Sequence, residues 1–171
     1  MTVSTPIVGM PEAEAKDIKS SYLDSLNLIE RLHRHLLDVI KDEFERMGRV
    51  EINPVQALLL YNVGESELTA GELRSRGHYL GSNVSYNLKK LVDAGYVHHK
   101  RSSSDRRSVR VSLTEKGKSV CNAIDALYDR HMHSIEQVGG LSAGSFMAMN
   151  QSLRKLERFW TARVRYRHES R

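Results

Sequence analysis

Between Ser82 and Lys90 the chain reads Ser82-Asn83-Val84-Ser85-Tyr86-Asn87-Leu88-Lys89-Lys90, hydroxyls, amides and ammonium groups broken by aliphatic residues at helical intervals. At about 100° per residue, Val84, Leu88 and Leu91 fall within about 60° of one another and face a core. The opposite side then carries Ser82, Tyr86, Lys89 and Lys90, with Asn83 and Ser85 on its flanks. Amides suit adenine edges, hydroxyls suit bases or phosphates, and lysines suit phosphates. Asn87 leans back toward the core side, and Asp93 points outward at the C-terminal end, clear of any phosphate. A second cluster follows in Arg101-Ser102-Ser103-Ser104-Asp105-Arg106-Arg107-Ser108, wholly polar and basic. An arginine at a hairpin tip suits a minor groove, whose negative potential favours a guanidinium. Asp105 gains nothing from a polyanion itself and serves to orient an arginine through a charge-assisted hydrogen bond. The chemistry these residues offer is recognition of a nucleic acid.

Other reactive residues form no comparable set. The pairs His33/His35 and His131/His133 lie two apart on helices, so each pair points to different sides and misses the i, i+4 spacing of a metal pair. There is no Ser-His-Asp order in a recognisable frame, no phosphate-binding glycine loop and no pair of carboxylates in a plausible cleft, so an enzyme is not expected. Cys121 is the single cysteine. It excludes an intramolecular disulfide, fits a reducing cytoplasm, and leaves a peroxide-sensing thiol as an alternative that lacks a resolving partner. The arginines of the C-terminal stretch, Arg163, Arg165, Arg167 and Arg171, suit a solvated helix end.

The distribution of charge agrees with a polyanion partner. The net charge is only +5, yet residues 96–118 hold 7 basic and 2 acidic side chains, and residues 150–171 repeat that balance. Residues 1–95 are net acidic, with 11 basic against 14 acidic groups. Two basic patches on a near-neutral body favour a polyanion. The longest apolar stretch, Val55 to Val63, contains Gln56 and Asn62 and is too short to span a bilayer, and no secretory signal is legible. The expected location is therefore the cytoplasm, without a membrane partner.

The elements that position these residues read as follows. Residues 1–19, with Pro6, Gly9 and Pro11, suggest a flexible arm. From about Ser20 a long helix carries Leu26, Ile29, Leu36, Ile40, Phe44 and Met47, with a second stripe at Leu28, Leu32 and Val39. A helix apolar on two sides needs two covers, and in a chain of 171 residues the second is a partner subunit. Asn53-Pro54 starts a helix that ends at Gly64. Thr69-Ala70-Gly71-Glu72 is a capping box opening a short helix, and a third helix runs from Gly81-Ser82 to Gly95. The period then changes to that of strands over Tyr96–Lys100 and Val109–Leu113. Thr114 caps a long helix that Gly139-Gly140 breaks, and a last helix begins near Ser142. The expected fold is mainly α with a small β-hairpin: a winged helix-turn-helix lobe at 51–114, plus a helical dimerisation region formed by 20–50 and 115–171.

Gly95-Tyr96-Val97, Asp105-Arg106-Arg107 and Val109-Arg110-Val111-Ser112-Leu113-Thr114-Glu115-Lys116-Gly117 together resemble the signature of the MarR family of winged-helix regulators, an Asp-x-Arg wing followed by Leu-Thr-x-x-Gly. The resemblance implies that Arg107 pairs with Asp105 and leaves Arg106 as the groove probe. It implies a homodimer on double-stranded DNA, reading a pseudo-palindrome with half-sites about 10 base pairs apart. It also implies a small aromatic or phenolic effector. No other cofactor is expected, and repression is expected in preference to activation. Tyr86 and His99 stand where many members have arginine, so sequence preference does not carry over. The run Ser82–Leu88 with His98-His99 is similar to the LdtR-like branch, linked to cell-wall remodelling and stress. The competing interpretation is a winged-helix protein-interaction adaptor, which predicts little salt dependence and no specific DNA site.

Overall fold

The computed structural model describes residues 11–77, 81–101 and 109–169. Its elements are α1 (Glu12–Arg46), α2 (Pro54–Val63), β1 (Leu68–Thr69), α3 (Ala70–Gly77), α4 (Gly81–Asp93), β2 (Val97–Arg101), β3 (Val109–Leu113), α5 (Glu115–Gly139) and α6 (Ala143–Glu169). The protein is mainly helical with a small antiparallel sheet of strand order β1-β3-β2. The chain divides into two compact units, residues 1–124 and 125–171, with the division inside α5.

In the first unit, local signals start and stop the helices. Asn53 accepts from the Gln56 backbone at 2.9 Å, and the Gln56 side chain returns the bond to the Asn53 backbone at 3.2 Å, closing a box at the start of α2. The box at α3 closes likewise: the Thr69 N–H donates to Glu72 at 2.6 Å, and the Glu72 N–H donates to the Thr69 hydroxyl at 3.1 Å. Gly95, at φ 75°, ends α4 in a Schellman turn. The Tyr96 N–H reaches the Leu91 carbonyl at 2.9 Å, and the Gly95 N–H reaches Val92 at 3.0 Å.

The core of this unit gathers Ile40 and Phe44 of α1, Leu59, Leu60 and Val63 of α2, Leu73 of α3, and Val84, Leu88 and Leu91 of α4. It is completed by Val97 of β2, Val111 of β3, and Val120 and Ile124 of α5. Pairing of Val97 with Leu113 and of His99 with Val111 sets the register of the hairpin. With a period of two, that register puts His98, Lys100, Arg110 and Ser112 on the face away from the core.

Three expectations need correction. The helix starts at Glu12, not near Ser20, so the expected arm 1–19 is helical from residue 12, while residues 1–10 lie outside the described residues. Good helix formers in Glu12-Ala13-Glu14-Ala15-Lys16, with acids in the first turn after Pro11, extend it. The strand β1 was not expected: two residues carry no period, and Leu68 and Thr69 become a strand only by pairing with Val111 and Arg110. Finally, Arg101 closes β2 opposite Val109 and is not part of the loop. Continued ladder bonding outweighs the polar composition there.

In the second unit, Ser142 caps α6, its hydroxyl accepting from the Ser145 N–H at 3.2 Å. Gly140, at φ 65°, supplies the turn between the helices. α6 leaves Met149, Leu153, Phe159 and Trp160 exposed. No helix among the described residues is long and apolar enough to cross a membrane.

Candidate nucleic-acid interface

Helix α4 is sorted by its aliphatic residues. Val84, Leu88 and Leu91 are 3%, 7% and 1% exposed, which anchors one side and turns the remainder outward. Asn83, Ser85, Lys89 and Lys90 are exposed, and Tyr86 is 62% exposed. The Tyr86 ring is therefore left largely in water on a helix that buries its aliphatic neighbours. The Lys90 ammonium stands 5.2 Å from the Tyr86 ring centroid, a cation–π pair that holds both side chains on the same outward face. Asn87 is half-buried and donates to the Asn83 carbonyl at 2.9 Å, so it serves the helix, as its inward lean suggested. Asp93 is exposed at the end of the helix. Ser82 lies in the first turn of α4, and its side chain is outside the described residues.

The stem of the hairpin that follows carries Lys100, Arg101 and Arg110. Neither β2 nor β3 contains an acid. Lys100 and Arg110 face each other directly across the ladder. Like charges so placed are destabilising without a counter-charge. Glu67 supplies part of one at 3.8 Å from Arg110, in a pair about half exposed and therefore weak. An anionic partner would relieve the remainder. Arg101 ends β2, its side chain undescribed, and Asp105, Arg106 and Arg107 lie outside the described residues.

The turn that carries α4 into the hairpin is held by groups that sequence reasoning missed. Thr114 donates its hydroxyl to the Gly95 carbonyl at 2.8 Å and its N–H to the Tyr96 carbonyl at 3.1 Å. Lys116 donates to the Ala94 carbonyl at 3.1 Å, and its ammonium lies 4.1 Å from the Tyr96 ring centroid. The buried Tyr96 donates its hydroxyl to Glu51 at 3.0 Å. Burial, reinforced by the Glu51 carboxylate, pushes the Tyr96 phenol up to about 12. Glu51 is held below the usual carboxylate range by a backbone hydrogen bond and by the one from Tyr96. Only Gly95-Tyr96-Val97 and Leu113–Gly117 hinted at this cluster in the sequence.

Among the described residues, no group of three or more His, Cys, Asp or Glu side chains could hold a metal ion. Cys121 is half-buried on α5.

Comparison with known proteins agrees with this geometry. A sequence family described as a winged helix DNA-binding domain matches residues 52–117. The exopolysaccharide II synthesis transcriptional activator ExpG of Rhizobium meliloti (strain 1021) is 32% identical over 164 residues, 96% of this chain and 82% of ExpG. The crystal structure of a cysteine mutant of MarR from E. coli complexed with operator DNA superposes with a TM-score of 0.66 at 20% identity, covering 80% of this chain and 95% of that one. The transcriptional regulator SlyA superposes at 0.70 with 21% identity, covering 81% and 95%.

Proposed function

The chain belongs to the MarR family of winged-helix, DNA-binding transcriptional regulators, and we propose that it reads a pseudo-palindromic operator as a homodimer. The observation that carries this reading is the division of α4, with Val84, Leu88 and Leu91 in the core and Asn83, Ser85, Tyr86, Lys89 and Lys90 turned out, immediately before a basic hairpin. In this reading α4 enters the major groove, with Ser82 at its start. The hairpin tip Asp105-Arg106-Arg107, with Arg101 at its base, reaches the backbone or minor groove.

Uncovered apolar side chains support the dimer. Leu32 is 58% exposed in a row with Leu28, Leu36 and Val39 on α1, and Phe159 is 51% exposed on α6 beside Trp160. A single chain rarely leaves such stripes in water. Residues 20–50 and 115–171 are accordingly proposed as the dimerisation region, and 51–114 as the DNA-binding lobe.

A small aromatic effector belongs to the same proposal on the strength of the family alone. It would favour a dimer whose two recognition helices no longer match successive major grooves. The proposed sign is repression. ExpG is an activator, which favours the opposite sign as a second reading. A reporter driven by the protein's own promoter, with and without the regulator, separates the two.

The test is binding of the purified protein to its own promoter duplex and to random duplex across a salt series. Tight binding selective for the promoter, with a steep salt slope, is the expected result. An Arg106→Ala/Arg107→Ala double variant should lose affinity by orders of magnitude while remaining dimeric. Equal, weak and salt-insensitive binding to both duplexes by the wild type would favour a protein-interaction adaptor.

A further inference from the structure

The end of the recognition helix is clamped to the start of α5 over three consecutive residues. The carbonyls of Ala94, Gly95 and Tyr96 accept from Lys116 Nζ, Thr114 Oγ1 and the Thr114 N–H, at 3.1, 2.8 and 3.1 Å. The Thr114 hydroxyl also accepts from the Gly117 N–H at 3.1 Å, so one oxygen caps α5 and holds the exit of α4. From the other side, Glu51, in the segment joining α1 to α2, accepts from the Tyr96 hydroxyl. Arg49 of the same segment donates to the Ser119 carbonyl and hydroxyl of α5, at 3.3 and 3.2 Å. The exit of α4, the approach to α2 and the first turns of α5 thus form one bonded joint.

We propose that Lys116 and Glu51 are positioning residues for DNA reading, which with Tyr96 fix the pose of α4 to α5 and so set the half-site spacing that the dimer accepts. Neither side chain lies on the outward face of α4. Each acts through the Ala94–Tyr96 turn. Lys116 grips that turn twice, by its bond to the Ala94 carbonyl and by its position over the Tyr96 ring. With those contacts removed, the Schellman turn still ends α4, and among the described residues the Thr114 bonds remain to tie its exit to α5. A looser joint lets each α4 adjust to its own half-site, so the penalty for wrongly spaced half-sites falls. This inference rests on the dimeric, operator-reading function proposed above.

The experiment uses the full chain and the operator recovered by selection from a random duplex library, rebuilt with one base pair added to or removed from its centre. The wild type should favour its selected spacing. Lys116→Met, which keeps the aliphatic stem, should shrink that preference by about 3- to 10-fold, the range expected of a coupling contact. Affinity for random duplex should fall by no more than the loss of one charge from the basic stretch 96–118 entails. The dimer should be unchanged, and Lys116→Arg should restore the preference. Tyr96→Phe should act in the same direction as Lys116→Met. If it fails to fold, the exposed Lys116 and its arginine rescue still decide the matter. An unaltered spacing preference in Lys116→Met overturns the inference while leaving the operator reading intact. An equal loss on every duplex also overturns it, since that is the signature of a merely structural role. A wild type indifferent to spacing would instead overturn the dimeric reading on which it rests.

Discussion

Gly117 lies so close beneath Tyr96 that a Cβ built on it would sit 2.3 Å from the Tyr96 carbonyl oxygen and 3.2 Å from a Leu113 methyl. The obstacle at 2.3 Å is backbone, held by the Thr114 N–H, and it does not swing aside as a side chain would. The glycine of the Leu-Thr-x-x-Gly pattern is therefore a requirement of close approach between α5 and the start of the hairpin. Gly117→Ala should cost about 1–3 kcal/mol, the usual range for overpacking. At roughly 2–4 °C per kcal/mol for a chain of this size, thermal unfolding should move down by several degrees. An unchanged melting temperature would mean that the joint yields freely and does not hold α4.

The buried phenol of Tyr96 gives the same joint a spectroscopic handle. Its pKa is raised from the model-peptide value of 10.0 to about 12, first by burial and then by the Glu51 carboxylate. A raised pKa means that the native state favours the protonated phenol. The stabilisation is fully present below about pH 10 and is lost as pH rises through about 12. Tyrosinate absorbance followed during alkaline titration should show a late component that Tyr96→Phe removes. The stability difference between wild type and Tyr96→Phe should be constant near neutrality and narrow above pH 10. A variant that keeps the late component would assign it to another tyrosine, such as Tyr128, whose phenol burial also pushes up.

The capping boxes predict modest, separable losses. Asn53→Ala and Thr69→Ala each remove the acceptor for an N-terminal N–H, of Gln56 and Glu72 respectively. Each should cost about 1 kcal/mol in denaturant melts. The two caps serve different helices, so the double variant should lose about the sum of the two. A clear shortfall from that sum would show that α2 and α3 form as one unit.

What could be read from the sequence follows from the range of each signal. The face of α4 was legible because three aliphatic residues inside one helix decide it. The capping box at α3 was legible because Thr69 and Glu72 lie three residues apart, and the start of α2 was legible in Asn53-Pro54, though not the return bond from Gln56. The wing was legible in outline because the period changes after Gly95. The features that escaped are non-local. β1 is a strand only through Val111 and Arg110, more than forty positions away. The Glu51–Tyr96 bond spans 45 positions and the Lys116–Ala94 bond 22. No periodicity reports a pairing of that kind. The early start of α1 is hidden for another reason: Pro6, Gly9 and Pro11 suggest an arm, although a proline just ahead of the first turn is compatible with a helix start.

The uncovered stripe of α1 predicts the oligomeric state. Leu32, at 58% exposure, lies in the middle of the row Leu28, Leu32, Leu36 and Val39. Leu32→Glu leaves an exposed site exposed in the monomer, so the fold should survive with its helical signal intact. In the dimer it places an unpaired carboxylate in an apolar interface, which is costly. Sedimentation should report a dimer for the wild type and a shift toward monomer for the variant. Binding to the selected operator should weaken in parallel, because each half-site then binds alone. A variant that stays dimeric with undiminished affinity would place the interface elsewhere.

Tyr86 offers the sharpest test of the proposal that α4 reads DNA. The ring is largely in water and pairs with Lys90 at 5.2 Å, so removing it should cost the folded chain little. Two roles on DNA are distinguishable. A ring against base edges or thymine methyls discriminates between sequences, worth about 1–3 kcal/mol per good contact. A ring or hydroxyl against the backbone strengthens binding to every sequence alike. The outward position between Asn83 and Lys90 favours the first. Tyr86→Ala should therefore lower affinity for the selected operator by about 5- to 100-fold while changing affinity for random duplex little. Tyr86→Phe separates ring from hydroxyl: retained selectivity assigns the discrimination to the apolar ring face, and loss of it assigns the discrimination to the hydroxyl. Repeating the selection with Tyr86→Ala should return operators relaxed at one or two positions per half-site, symmetric about the centre. An equal loss on all duplexes would instead make Tyr86 a backbone contact and leave base reading to Asn83, Ser85 and the hairpin.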